Sequence, residues 1–376
     1  MTSTPQAPPR QHPNLRVARF EDYPQIEKLE SDNSLVTLSH KAWRHIWIDN
    51  PLLAQLGDSW PVGWVLEDAG RIVGSLSNFP TAYVYRGRKL LAATGRAWVV
   101  APEYRGVALW LMDEYFQQSG IDIFLNNTVN TLAVSAFTSM GSLRVPVGDW
   151  ESAAYWITNY PGFAAAAMRI KGVPLPRLGA VPAGAALKLR DALRKKSFPP
   201  AATSVEIAAA DGFDSRFDAF WNQLVSQNPD RLLCVRDSPT LTWHFATPMW
   251  SGEAWILTAS RNGLLRAYGV FKRQDHQPSG LTRMRLVDYQ TLEPENDLLP
   301  SLLQHALDRC VREKIHTLEH VGCDLPKMKS LDALAPYRLN LRSWRFYYTA
   351  PEPSLNAQLL NPNVWDPSSF DGDASL

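Results

Sequence analysis

The stretch Trp98-Val-Val-Ala-Pro-Glu-Tyr-Arg-Gly-Val-Ala-Leu-Trp-Leu-Met112 reads as a strand, a tight turn and the start of a helix. Such a junction aims several free backbone N–H groups at one spot, at the positive end of the helix dipole. The chemistry it suits is the binding of a phosphate or pyrophosphate. Gly106 and Ala108 are small enough for a ligand to approach the main chain, and Arg105 adds positive charge. Trp98, Val99, Val100, Arg105, Gly106, Val107, Ala108 and Leu109 are the residues expected to touch such a ligand, while Trp110 would crowd it. A second pattern, His316-Thr-Leu-Glu-His320, has the letters of a zinc-binding helix. Its neighbours alternate as in a strand, where residues four apart stand about 13 Å from each other, too far to share one ion. No metal is expected.

Pro102-Glu-Tyr-Arg-Gly106, placed between strand and helix, resembles the signature of the GNAT (GCN5-related N-acetyltransferase) acyltransferases. The family's Arg/Gln-x-x-Gly-x-Gly/Ala spacing falls on Arg105, Ala108 and Trp110. A second family feature, Asn-x-x-Ala-x-x-x-Tyr-x-x-x-Gly, is matched by Asn130, Ala133, Phe137 and Gly141, with Phe137 where many members carry a proton-donating Tyr. The resemblance implies acetyl-CoA or another acyl-CoA as co-substrate, gripped at the turn and near Asn130. It implies acyl transfer to an amine or hydroxyl acceptor, a small molecule or saccharide among them, by direct attack. An acceptor arriving protonated needs a base. Tyr104, Tyr155, Asp122, Asp288 and Tyr289 are the polar candidates, and no spacing argument selects one. A Fem-type aminoacyltransferase using aminoacyl-tRNA and a non-catalytic GNAT-like binding or scaffold protein are the alternatives; tRNA is a partner only under the first of them, and DNA under none.

These residues need elements to hold them. Residues 1–14 read as a flexible tail. Strand and helix signals from 15 to 165 give β-α-α, a β meander over 62–100, then β-α-β-α-β-β, with turns at Asp68-Ala69-Gly70-Arg71 and Arg86-Gly87-Arg88. Residues 166–202 carry many Pro and Gly and read as a linker. Within it, 185–196 forms a basic amphipathic helix (Lys188, Arg190, Arg194, Lys195, Lys196), expected to be a solvated connector because its apolar face lacks an aromatic anchor. From 203 to 350 the element order repeats, with Trp43 and Trp243 in matching places. The fold class expected is therefore α+β: two GNAT-like mixed sheets with flanking helices, the second degenerate. Residues 351–376 read as a polar tail, with Asp371 and Asp373, like Asp288, as surface or capping carboxylates.

Composition bounds the rest. The chain has 376 residues, 45% of them hydrophobic and 20% charged, which excludes wholesale disorder and fits about two domains. A formal net charge of +1 removes the crude argument for a nucleic-acid binder. The 14 Trp, 14 Phe and 12 Tyr fit either core or cleft walls. Three scattered cysteines (Cys234, Cys310, Cys323) make no disulfide framework and suit a reducing compartment. No apolar run is long enough to span a membrane. A cytoplasmic protein is expected; nothing in the letters speaks to its oligomeric state.

Overall fold

The computed structural model describes residues 12–148, 150–194, 205–292, 298–322, 331–341 and 343–376. Hairpins dominate it, and their turns explain themselves. Ala69-Gly70, Arg86-Gly87 and Asn262-Gly263 all have φ between 49° and 79°. Two consecutive residues at positive φ make the turn whose twist matches that of the strands it joins.

In chain order the strands are β1 (Asn14–Val17), β2 (Gly63–Asp68), β3 (Arg71–Tyr85), β4 (Arg88–Val100), β5 (Ile123–Val129), β6 (Leu143–Arg144), β7 (Ser152–Ile157), β8 (Glu206–Ala210), β9 (Leu233–Cys234), β10 (Ala254–Arg261), β11 (Leu264–Arg273), β12 (Arg283–Thr291), β13 (Thr317–Val321), β14 (Tyr337–Asn340) and β15 (Arg345–Thr349). The helices are α1 (Tyr23–Asp32), α2 (His40–Ile48), α3 (Leu53–Leu56), α4 (Leu109–Phe116), α5 (Val134–Ser139), α6 (Tyr160–Ile170), α7 (Pro176–Ala192), α8 (Ser215–Gln227), α9 (Ser238–Trp250), α10 (Leu299–Arg312) and α11 (Pro353–Leu359).

They build two mixed sheets. One runs β1-β2-β3-β4-β5-β15-β6 with β9 added to β3; the other runs β14-β7-β13-β12-β11-β10-β8. Each follows the expected plan: an antiparallel meander, then one parallel step, β4 to β5 in the first sheet and β12 to β13 in the second. The halves are not closed on themselves. β7 pairs with β13 and β14 in the second sheet, and β15 inserts between β5 and β6 in the first. Each sheet thus contains a strand from the other half of the chain.

The duplication is visible at the centre. His45 Nε2 lies 2.9 Å from Trp243 O, and Trp243 Nε1 donates to His45 O at 3.1 Å, a reciprocal contact between α2 and α9. The largest core cluster draws on both halves, from Tyr83, Leu90 and Ile123 to Phe217, Leu241 and Tyr348.

Three expectations need correction. The helix expected over 185–196 begins earlier: α7 starts at Pro176, ends at Ala192 and packs on α6 as a helical hairpin. Residues 351–376 are not a surface tail. Leu355, Leu359, Val364, Trp365 and Phe370 sit in the main core, and polar Ser368, Ser369 and Asp371 are buried with them. The physical reason is Arg236, whose buried guanidinium donates to Asp288, Asp371 and Ser368. Asp288 and Asp371 are accordingly interior groups, not surface carboxylates. Residues 1–11 of the N-terminal tail, Lys195, Lys196, Cys323 and the segment 293–297 lie outside the described residues.

Candidate functional site

β4 and β5 run parallel only over Ala92–Ile123, Ala93–Phe124 and Thr94–Leu125, and beyond that pair they part. Two features keep them apart. Tyr115 Oη sits at the vertex, 2.8 Å from Ala93 O on β4 and 3.2 Å from Leu125 O on β5. A bulge then diverts β4: Ser77 pairs with Arg96 and Ser75 with Val99, so Ala97 and Trp98 together oppose Leu76. Ala97 takes φ 53° to make the extra residue fit. Bulges of this kind re-aim side chains and terminate pairing beside functional sites.

The gap between the strands is a cavity of about 120 Å³ lined by Gly95, Arg96, Ala97, Trp98, Asn126, Thr128, Val129, Asn130, Ala133 and Phe137, among others. Trp98 brings an indole N–H that is out of contact with water and has no acceptor among the described residues. The Trp43 indole N–H is in the same state, so this alone does not mark a ligand. The cavity shares Leu35, Arg96, Ala97, Thr128 and Asn130 with a cleft of about 570 Å³, whose far wall comes from the second half: Lys272, Arg273, Gln274, Arg283 and Arg285, with Trp344 and the final residues Asp373, Ala374 and Leu376.

The charges in that cleft do not cancel. Arg96 stands 3.7 Å from Glu30, Arg273 pairs with Asp275 at 3.0 Å, and Arg285 with Glu319 at 2.8 Å. Arg283 donates to Gln274 O at 2.7 Å and forms no ion pair among the described residues. Lys272 donates to Ser375 O and Leu376 O at 3.0 and 2.8 Å, and burial brings its pKa down to about 8. Opposite them, Asp373 accepts from Thr128 Oγ1 at 2.9 Å. Burial raises the Asp373 pKa, against the opposing pull of Arg96 and Thr128. A carboxyl shifted towards neutrality beside a cleft suits proton transfer. Sequence reasoning placed Asp373 among surface or capping carboxylates; it lines the cleft instead.

The expected site residues divide into three places. Trp98 and Asn130 line the cavity, although Asn130 Oδ1 is also engaged by the Leu132 and Ala133 amides ahead of α5. Val99 and Val100 are buried in the two clusters packed against the first sheet. Arg105, Gly106 and Val107 belong to the turn, which is a 3-10 segment over Pro102–Val107 rather than an open loop; Ala108 caps it and Leu109 opens α4. Two of its amides are used locally, Tyr104 N to Ala101 O and Ala108 N to Arg105 O. Arg105 is exposed and unpaired among the described residues. Trp110 does not plug the strand gap; it lies in the cluster with Trp64 and Leu111, its ring 6.2 Å from that of His12. Phe137 meets Trp98 edge-on at 6.2 Å and stacks on Tyr347 at 5.9 Å; its own ring has no proton to donate.

The polar candidates scatter. Tyr104 Oη donates to Asp68 beside a separate recess at the turn. Tyr155 lies in the second sheet, stacked on Tyr337. Asp122 accepts from the Leu91 amide at 2.8 Å and so ties β5 to β4. Asp288 is sealed in the Arg236 cluster. The second half shows why. Its β12 carries a matching bulge opposite Val270 and Phe271, but Ser368 bonds Asp288 on β12 and Ser369 bonds Val321 O on β13. The last segment of the chain fills the place that stays open in the first half.

Solved structures share this architecture. A GCN5-related N-acetyltransferase from Anabaena variabilis is similar at TM-score 0.50 and 13% identity, over 90% of this chain and 72% of that one. A second, from Kribbella flavida, gives 0.51 and 12%, over 90% and 71%. Saccharomyces cerevisiae N-myristoyltransferase with bound myristoyl-CoA gives 0.55 and 12%, over 93% and 81%. No family model and no curated protein matches the sequence. The chain has the GNAT fold.

Proposed function

We propose that the protein is an acyltransferase that passes an acyl group from a coenzyme A thioester to an amine or hydroxyl acceptor. The observation that carries this reading is the strand gap between β4 and β5, open on one side to the 570 Å³ cleft. A thioester lying in the gap has its carbonyl beside the β4 bulge and the unpaired Trp98 indole N–H. Donors held in place where charge develops stabilise the tetrahedral intermediate. Arg105, free at the turn, is the residue suited to the coenzyme's phosphates. The acceptor enters from the cleft, and Asp373 takes its proton as it attacks the carbonyl. The thiolate of the coenzyme leaves without help from Phe137. Arg283, with no carboxylate of its own, selects an acceptor that carries a carboxylate or phosphate. The neighbours named for acetyl and myristoyl transfer support the class of reaction; acyl length is left to the assay.

A second reading, a non-catalytic acyl-CoA binder, is favoured by Phe137 alone. One experiment separates the two: calorimetric titration with free CoA, acetyl-CoA and myristoyl-CoA, followed by thiol release with a panel of anionic amines. Binding with thiol release is the expected result. Binding with no release by any acceptor favours the second reading, and no binding of any of the three overturns both.

A further inference from the structure

Helix α7 is built the wrong way round for a solvated connector. Its inward face is made of small residues: Ala180 and Gly184 are buried against α6. A Cβ added at Gly184 would stand 2.8 Å from Pro161 N, and one at Gly179 would stand 3.1 Å from Met168 Cε. Tyr160 Oη donates to Asp191 Oδ2 at 2.5 Å, and Arg169 on α6 donates to Ser279 O at 2.8 Å. Tyr160 and Asp191 thus join α6 to α7, and Arg169 ties the hairpin to the connection between β11 and β12. The large side chains of α7 point outwards: Leu178, Val181, Leu189 and Leu193 are 77, 66, 65 and 78% exposed. Ile170, Val173 and Leu175, around the turn between the helices, are exposed beside them. Surface helices of globular proteins turn this stripe to the core.

Leu178, Val181, Ala185 and Leu189 recur at three- and four-residue spacing and so share one face. Lys171, Arg177 and Lys188 stand around that face, exposed and without an ion pair among the described residues. The one carboxylate between Tyr160 and Arg194, Asp191, is buried under Tyr160. The patch is thus apolar at its centre and basic at its rim, with no exposed acid.

We propose that this face docks the protein on an anionic lipid surface, independently of the reaction proposed above. The aliphatic stripe enters the boundary between headgroups and acyl chains, and the basic rim meets the lipid phosphates. Charge selects this occupant over a second copy of the chain, because self-association would press two identical basic rims together. No helix among the described residues is long and apolar enough to cross a membrane, so the hairpin lies on the surface.

The test is co-sedimentation of the whole protein with vesicles of phosphatidylcholine alone or with about one-third phosphatidylglycerol, at low and high salt. The protein is expected to pellet with the anionic vesicles, less with the neutral ones, and less again at high salt. The pair Leu178→Ser and Leu189→Ser is expected to weaken pelleting about tenfold or more. The pair Arg177→Gln and Lys188→Gln removes the preference for anionic lipid. All four side chains are exposed, so melting curves of both variants should match the parent. No pelleting with either vesicle overturns the proposal, as does a concentration-dependent dimer in light scattering that the two serine substitutions disperse.

Discussion

His244 Nε2 lies 2.7 Å from Ser375 Oγ, and its ring is tilted against that of Phe370, with centroids 4.4 Å apart. Burial, with Lys272 and Arg236 adding to it, holds its pKa well below 6.5. The unfolded chain therefore binds a proton that the folded chain refuses. The stability this group confers is complete above about pH 6.5 and falls as the pH drops towards the lower folded value, by up to about 1.4 kcal/mol per unit. Denaturation at stepped pH from 7 downwards should show this slope, and His244→Gln should flatten it. Arg236 is a different case, since its loss leaves Asp288 and Asp371 buried without a counter-charge. Arg236→Met is expected to cost about 3–5 kcal/mol in urea unfolding. At the proposed site, Asp373→Asn should lower kcat about 100-fold or more while coenzyme binding in calorimetry stays unchanged. Arg283→Gln should raise the KM for an anionic acceptor about tenfold and leave a neutral acceptor unaffected. Little of this residue scale could be read in the letters. Arg236, Asp288 and Asp371 are more than 50 residues apart in part, and nothing local marks them as one cluster.

Elements were more legible, where their cause is local. The three hairpin turns, the strand–turn–helix around Pro102 and the order of the meander follow from Gly placement and alternation, and the structure has them. What alternation could not supply was the bulge at Ala97 and Trp98, because a bulge is a relation between two strands. Nor could it supply the outward face of α7: the apolar period was readable, but not which side would be buried. Small residues at Ala180 and Gly184 were the signal. Gly184→Leu should separate α6 from α7, since the first added carbon already meets the Pro161 backbone. A loss of about 1–3 kcal/mol is expected, read from the melting transition, with Ala185→Leu on the open face as the near-neutral control.

At the scale of the whole molecule, the two sheets are tied together by exchanged strands. β7, within the expected 15–165 unit, and β15, within the expected 203–350 unit, each complete the sheet of the other half. Sequence periodicity describes a strand's faces and says nothing of which distant neighbour it will choose, so the exchange was invisible. Residues 12–194 produced alone should be unfolded by circular dichroism, while the same piece made together with 205–376 should copurify with it. One stable, monomeric half would refute the exchange. The crossing also orders events during synthesis. β5 leaves the ribosome more than 200 residues before β15, and until then its edge has no mate. The nascent first half must wait, its unpaired edge open to solvent or to chaperones, until β15 has been translated.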